Sequence, residues 1–471
     1  MCQHSTKSLI AFFPILITVV FSTSVMADEP ETNKFWGNFR GPEHTGASPT
    51  AKPPIHWDAN KNVAWKVQIP GQGTSSPVVW GDKIFLTSAI NEEPNKTPPP
   101  RMGRRELTTK FDEDGDGQLS ENERNKAIQF RRQQMADSLT THSFVAMCFD
   151  RNTGKQLWKH VANKRKPVEG HHRDSGFASA SPVTDGKHVY FNFGSMGLYC
   201  YDMDGKQIWK RTDLGEMQMR GTFGEGSSVA ITDKLLILPW DHEGQSKIEA
   251  IDKMTGDTVW KTDRDEPSAW ATPVVATVNG KRQVIHSGQN YSRGYDLESG
   301  KELWRSSGLS DRPVATPVAN GNVGIFGSAR RGAKLNAYAL DRMGDISSEP
   351  VWTIERNTPD CPSLLLSGKR LYYLSSNNAI FSCANAETGQ PVFSAQRLAG
   401  LQGVYSSPVA ADNKVFVTGR NGKTLVVSDG DEFKELATND IGEPVDATFA
   451  LVEDQIFIRG RNHLFCIRES K

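Results

Sequence analysis

The residues best equipped for chemistry lie in one stretch, Asp112-Glu113-Asp114-Gly115-Asp116-Gly117-Gln118-Leu119-Ser120-Glu121-Asn122-Glu123. Carboxylates occupy its first, third, fifth and twelfth places. A hard cation such as Ca2+ takes about six to eight oxygen ligands. Asp112, Asp114, Asp116 and Glu123 offer charged oxygens, Gln118 its backbone carbonyl, and Ser120 a ligand directly or through water. Gly117 falls at the sixth place, where the sharp turn needs positive φ. The competing reading is an acidic, solvated loop that holds no metal.

Such a loop needs helices to hold it. Residues 122–139 contain no Gly or Pro and predict an exit helix, with Ile128, Met135 and Leu139 on one face. A shorter entering helix is expected over 104–111, after Pro98-Pro99-Pro100. The whole resembles an EF-hand carried by an insertion over residues 91–139. No second hand occurs in the chain, so calcium here would order the insertion and not act as a transient sensor.

The rest of the 471 residues reads differently. Lys+Arg and Asp+Glu are both 55, so the charge balance offers no basic body for nucleic acid. Forty-one Gly, 25 Pro and 11 Trp point to many turns and short strands. A phrase recurs: an apolar strand ending in Asp, a turn with Gly, then a strand holding Trp. It runs Asp150…Gly154…Trp158, Asp202…Gly205…Trp209, Asp252…Gly256…Trp260 and Asp296…Gly300…Trp304. Looser copies begin at Asp341, Asn385 and Asp429. A small residue, often before Pro, opens each preceding strand, as in Ser76-Pro77-Val78, Thr272-Pro273-Val274 and Cys361-Pro362-Ser363; Ser227-Ser228-Val229 and Ala447-Thr448-Phe449 occupy the same slot without Pro.

Eight such units of about 45 residues, each of four strands A to D, are the pattern of propeller blades. The expected fold is therefore all-β, an eight-bladed β-propeller over 62–471. The last unit lacks strand D, and Asn62 to Lys66 supplies it, Trp65 included, so that an N-terminal strand closes the ring. Six Trp fall in the strand-D slot. Four of the five later cysteines, Cys148, Cys200, Cys383 and Cys466, share a small buried slot and are expected to be free thiols.

The N-terminus reads as an export signal over 1–27. Lys7 precedes an apolar run from Leu9 to Phe21, and Val25-Met26-Ala27 forms a small-residue cleavage site. An uncleaved anchor is the alternative. Residues 28–61 form a leader. The expected location is the periplasm or the extracellular space, with membrane contact only through the signal, and the chain is expected to be a monomer.

In a propeller the D–A and B–C loops share a face. They bring His171, His172, Asp174, Glu225, Trp270, Arg312, Asp360 and Tyr405 (D–A), and Asp241 and His242 (B–C), to it. Glu243, Tyr291, Arg330, Arg331, Asn377, Asn378, Arg420, Arg461 and Asp446 accompany them. A metal or acid–base site among His171, His172, Asp174, Glu225, Asp241 and His242 competes with a solvated rim. No Gly-x-Ser-x-Gly, His-Glu-x-x-His or phosphate loop is present.

The Asp-x-x-Thr-Gly-Lys-x-x-Trp phrase, best kept at Asp150–Trp158, Asp252–Trp260 and Asp296–Trp304, resembles the repeat of PQQ-type, quinoprotein-like β-propellers. Trp36-Gly37-Asn38-Phe39-Arg40-Gly41-Pro42 is similar to the opening of secreted bacterial members. The resemblance covers residues 35–471 and implies eight blades. It does not by itself imply the quinone: the family includes quinoprotein dehydrogenases and the non-enzymatic outer-membrane protein assembly factor. The dehydrogenases carry an adjacent Cys-Cys pair, which this chain lacks. Three readings follow. The first is an exported, calcium-binding propeller that acts as a scaffold for a protein, peptide or glycan on its loop face. The others are a PQQ-dependent oxidoreductase with a metal in the axial funnel, and a carbohydrate- or polymer-binding or -hydrolysing propeller.

Overall fold

The computed structural model describes residue 1 and residues 31–96, 102–307, 309, 311–329, 332–375 and 379–470. The export signal and Arg330, Arg331, Asn377 and Asn378 lie outside the described residues. Eight antiparallel sheets succeed one another along the chain. The first blade comprises Val78–Trp80, Lys83–Asn91, His142–Asp150 and Gln156–Arg165. In the first blade the inner strands Lys83–Asn91 and His142–Asp150 are buried on both faces, whereas an outer strand such as Val63–Gln68 alternates. The eighth sheet orders Val63–Gln68 beside His463–Ile467, with Trp65 opposite Cys466.

The repeated Gly and Trp explain each other. The indole Nε1 of Trp65, Trp158, Trp209, Trp260 and Trp352 donates to a backbone carbonyl of the next blade, at 2.8–3.2 Å. Each ring lies on that blade's turn glycine: Gly154, Gly205, Gly256, Gly300 or Gly389. A Cβ there would come within 3 Å of the indole, and all five have positive φ. Trp304 departs from the column. It turns into its own blade, where it is fully buried over Gly294 and donates to the Gln283 side chain at 2.9 Å. The glycine of the next turn, Gly344, has nothing within 4 Å of where a Cβ would stand; it belongs instead to a fifth strand, Gly344–Asp345, parallel to Glu302–Ser306. The four-strand expectation therefore fails for this blade.

The strand openings form a closed ring around the axis. Each residue two before a strand A accepts, on its hydroxyl, the backbone N–H of the corresponding residue one blade earlier. The order is Ser76→Ser181→Ser228→Thr272→Thr316→Ser363→Ser407→Thr448→Ser76, with distances of 2.8–3.3 Å. In the sixth blade the slot belongs to Ser363, so Pro362 precedes the hydroxyl instead of following it. The aligned triplet Cys361-Pro362-Ser363 is thus shifted by two places, and Ser227-Ser228-Val229 and Ala447-Thr448-Phe449 by one, because their ring residues are Ser228 and Thr448.

Nor is the leader a mere approach to the ring. Residues 36–48 cross the axial channel. Trp36 bridges Val79 of the first blade, the Thr184 amide donates to Gly37, and Ala47–Ser48 pairs parallel to Val409–Ala411. Arg40, 1% exposed, donates to the carbonyls of Leu364 (2.5 Å), Thr45 (3.2 Å) and Pro408 (3.3 Å). The plug thus joins the first, second, sixth and seventh blades.

The insertion folds as two helices, Arg104–Phe111 and Glu121–Ser138, with the Phe111 and Phe130 rings 5.3 Å apart. Its inner face differs from the expected one. Ile128 is 44% exposed, and Leu107, Glu123 and Ala127 are buried. No disulfide joins the five described cysteines to one another. No helix of the described residues is long and apolar enough to cross a membrane.

Thr316→Val keeps the shape of one ring member and removes its acceptor. The Thr272 amide is then buried without a partner, so urea unfolding should show a loss of about 1–3 kcal/mol. An unchanged midpoint and slope would show that the ring bond contributes nothing.

Candidate functional site

The eight D–A loops surround an axial cup of about 340 Å³ on the face that carries the insertion. All eight ring hydroxyl residues line it, and Phe39 of the plug lies at its base. Each hydroxyl already accepts an amide, which leaves its own proton to donate. The cup therefore has a floor rich in O–H donors.

Its walls take seven of the ten face residues read from the sequence: His172, Asp174, Glu225, Trp270, Arg312, Asp360 and Tyr405. Asp446, from the loop into the eighth blade, joins them. Arg420 ties the mouth together. Its Nε lies 2.7 Å from Asp446 Oδ1, its Nη2 3.1 Å from Asp174 Oδ1, and its guanidinium 4.1 Å from the Tyr405 ring centre. Tyr405 donates to Asp174 Oδ2 at 3.2 Å. Burial alone would raise the Asp174 carboxyl, but the Arg420 hydrogen bond and charge, with the Tyr405 hydroxyl, hold it below the usual range. Trp270 is fixed by a 2.7 Å hydrogen bond from Nε1 to the Gly224 carbonyl. Arg312 adopts φ of 65° and packs 5.3 Å over Phe223, a backbone conformation that costs energy outside glycine.

Glu225 is turned into the wall. Its carboxylate accepts the Ser195 amide (2.7 Å) and hydroxyl, and it passes where a Cβ on Gly194 would stand. Burial pushes this carboxyl up to about 7, against the lowering effect of Ser195.

Three expected site residues lie elsewhere. Asp241 is buried on Arg264 (Nε–Oδ1 2.7 Å, Nη2–Oδ2 3.0 Å), with His286 Nε2 at 3.2 Å. His242 holds its own loop: Nδ1 accepts the Gln218 and Gly244 amides, both at 3.2 Å, and Nε2 faces the Gln245 carbonyl. That arrangement requires the neutral ring, and burial lowers its pKa. His171 sits edge-on to Phe177 and bonds the His172 carbonyl. The sextet of His171, His172, Asp174, Glu225, Asp241 and His242 therefore does not converge.

In the insertion, carboxylate oxygens of Asp112, Asp114 and Asp116 lie within 4.8 Å of one another. Gly115 and Gly117 take φ of 72° and 79°, and the Gly117 amide donates to Asp112 Oδ2 at 2.9 Å. Asp112 Oδ1 is buried with no partner among the described residues. The Asp116 amide pulls the Asp114 carboxyl down. Lost hydration, the charges of Asp116 and Glu123 and a bond with Asp112 outweigh it and leave the pKa raised. An orphaned oxygen beside crowded carboxylates fits a hard divalent cation. Glu123 and Ser120 are turned to each other: the Ser120 amide and hydroxyl donate to Glu123 Oε2 at 2.8 and 2.7 Å.

The cup does not suit PQQ, a planar quinone with three carboxylates. Asp174, Asp360 and Asp446 line it against the single lining arginine Arg312, Arg420 is committed to two of those carboxylates, and Glu225 is turned into the wall. Cys361 is the one cysteine among the described lining residues, so no adjacent Cys-Cys pair faces the cup.

Sequence reasoning missed Phe39, the hydroxyl ring and the role of Arg420. Only the ring left a signal, in the recurring small residue of each strand opening.

A family model described as outer membrane protein assembly factor BamB matches residues 142–395 and 244–471. Quinohemoprotein alcohol dehydrogenase ADH-IIG of Pseudomonas putida is 28% identical over 162 residues, 31% of this chain. The chain spans only 22% of that relative. The structure of BamB from Moraxella catarrhalis superposes with a TM-score of 0.51 at 14% identity, over 69% of this chain and 88% of that one. That of quinohemoprotein alcohol dehydrogenase from Comamonas testosteroni gives 0.58 at 10% identity, over 93% and 81%. At these identities the structural likenesses show the fold alone.

Replacing Glu225 by Gln tests its environment. With a folded pKa of about 7 against an ordinary 4.5, the wild type should lose stability as pH rises between those values, because only the unfolded state releases the proton. Glu225→Gln lacks that loss. Its melting temperature should gain on the wild type from pH 4.5 to 7.5; a constant gap would contradict the buried, protonated carboxyl.

Proposed function

The chain belongs to the PQQ-like propeller family described by outer membrane protein assembly factor BamB, and on that premise we propose that it is an exported binding module. The axial cup is the ligand site, and the insertion loop is a calcium site that stiffens the same face. One observation carries this reading: the channel is plugged by the chain's own residues 36–48, so the face presents a cup with a base. A cup of that volume takes one small polar molecule, a peptide end or one or two sugar units.

The floor offers hydroxyl donors and the walls offer Trp270 and Tyr405. These suit a ligand with acceptor oxygens and an apolar side, which is the chemistry of a glycan or peptide. The rim agrees with recognition, since Arg420 bridges Asp174 and Asp446 and holds both in place. The likeness to quinohemoprotein alcohol dehydrogenases raises the oxidoreductase reading, and the excess of carboxylates in the cup weighs against it. The export signal expected from the sequence and the description of the family as an outer-membrane assembly factor support a periplasmic or extracellular location.

Asp112, Asp114, Asp116 and Glu123, with the Gln118 carbonyl and Ser120, would hold the calcium. The ion would neutralise the acidic loop and give Asp112 Oδ1 its missing partner; to bind it, Glu123 must leave its bond to Ser120.

Calorimetry should show one Ca2+ site in the wild type and none in Asp112→Ala, with equal binding by both overturning the calcium site. Glycan and peptide arrays should give ligands that Trp270→Ala loses. PQQ-dependent dye reduction by the wild type, with no array ligand, would overturn the binding reading.

A further inference from the structure

Beside the cup, over the eighth blade, lies a second cleft of about 210 Å³. It is walled by Gly71-Gln72-Gly73-Thr74, by Arg173-Asp174-Ser175, by the loop from Pro444 to Ala447, and by Arg459-Gly460-Arg461-Asn462. It shares Thr74, Asp174, Ser175, Asp446 and Ala447 with the cup.

Arg459 is the anomaly in it. The residue is 2% exposed and has no carboxylate within ion-pair distance among the described residues. Its Nη1 donates to the Ser75 carbonyl at 3.2 Å and to the Ser75 hydroxyl. Its Nε is buried with no partner among the described residues. Nη2 stands 2.7 Å from where a Cβ on Gly73 would be, so the absent side chain gives the guanidinium its room. Burial pulls its pKa down to about 9, which leaves it charged at neutral pH.

A buried charge without a counter-charge is costly, and proteins normally pair it. Arg40 also keeps a buried Nε without a partner, but three backbone carbonyls accept from the rest of its guanidinium. Arg459 has one residue as acceptor and a cleft before it. The cleft's charge is also cationic. Arg173, Arg459 and Arg461 face Asp174 and Asp446, and Arg420 already lies between those two carboxylates. Arg461 is 3.6 Å from Asp446 and Arg173 is 3.8 Å from Asp174, both on exposed side chains. Glu443, behind Gly460, is taken by the Asn462 and His463 amides and by His463 Nδ1 at 2.6 Å.

We propose that this cleft is an oxyanion site, in which a carboxylate, phosphate or sulfate group is held by Arg459 with Arg461 and Arg173 at its mouth. Guanidinium donors match such groups in shape and charge. The site stands apart from the reading of the cup, and an oxyanion can bind here whatever the cup takes.

The test uses inorganic phosphate, sulfate and acetate as probes on the full chain, at matched ionic strength with chloride as the balance. At least one should raise the melting temperature with concentration and give a calorimetric isotherm. Acetate as the strongest probe marks a carboxylate site, and phosphate or sulfate as the strongest marks a tetrahedral oxyanion. Arg459→Met should abolish the response, and Arg461→Gln should weaken affinity about tenfold, the scale of one charged hydrogen bond. If Arg459→Met fails to fold, the exposed pair Arg461→Gln and Arg173→Gln carries the test, with a larger loss than either alone. The proposal is overturned if no probe acts beyond chloride, or if the variants respond as the wild type does.

Discussion

One constraint organises this molecule: eight sheets must meet around an axis with no free edge. The ring of eight hydroxyl-to-amide bonds meets it at the centre, where each blade's opening residue accepts from its neighbour and donates to the next. The Trp-on-Gly contacts meet it again farther out, and the pairing of Val63–Gln68 with His463–Ile467 closes the circle. Neighbouring blades are thus joined at two radii. The central ring also sets the chemistry of the cup, because a hydroxyl that accepts an amide has its proton left for a ligand.

The plug follows from the same geometry. A ring of eight blades leaves a channel too wide for side chains of the inner strands to fill. Residues 36–48 fill it at one end, with Arg40 bonded to carbonyls of two blades. A tunnel becomes a cup with a base at Phe39. The loops then decide what the cup holds, and they are stiffened by ion pairs between distant blades, such as Asp174 with Arg420.

The sequence carried the parts of this that are local and repeated. The Asp turn is legible because Asp150 Oδ1 caps the amides of Asn152 and Thr153, and the same contact recurs at Asp252. Blade number and order follow from that period. The parts it hid depend on distant partners. Nothing near Phe39 or Arg40 says that they meet the sixth and seventh blades, more than 300 residues on. Asp241 looked like a loop carboxylate, yet Arg264 on the blade's own outer strand and His286 of the next blade bury it. Ile128 kept helical spacing but faces out, because the short first helix covers only the side with Ala127 and Glu123. Strand alternation alone assigns loops to a face, and seven of the ten face residues line the cup; how each side chain turns on that face is set by packing.

If the central ring is what makes eight blades one body, its bonds cannot open separately. Native-state hydrogen exchange followed at the amides of Ser76, Ser181, Ser228, Thr272, Thr316, Ser363, Ser407 and Thr448 tests this directly. The account predicts that all eight exchange only with global unfolding, at one common free energy. Distinct protection levels, blade by blade, would contradict it.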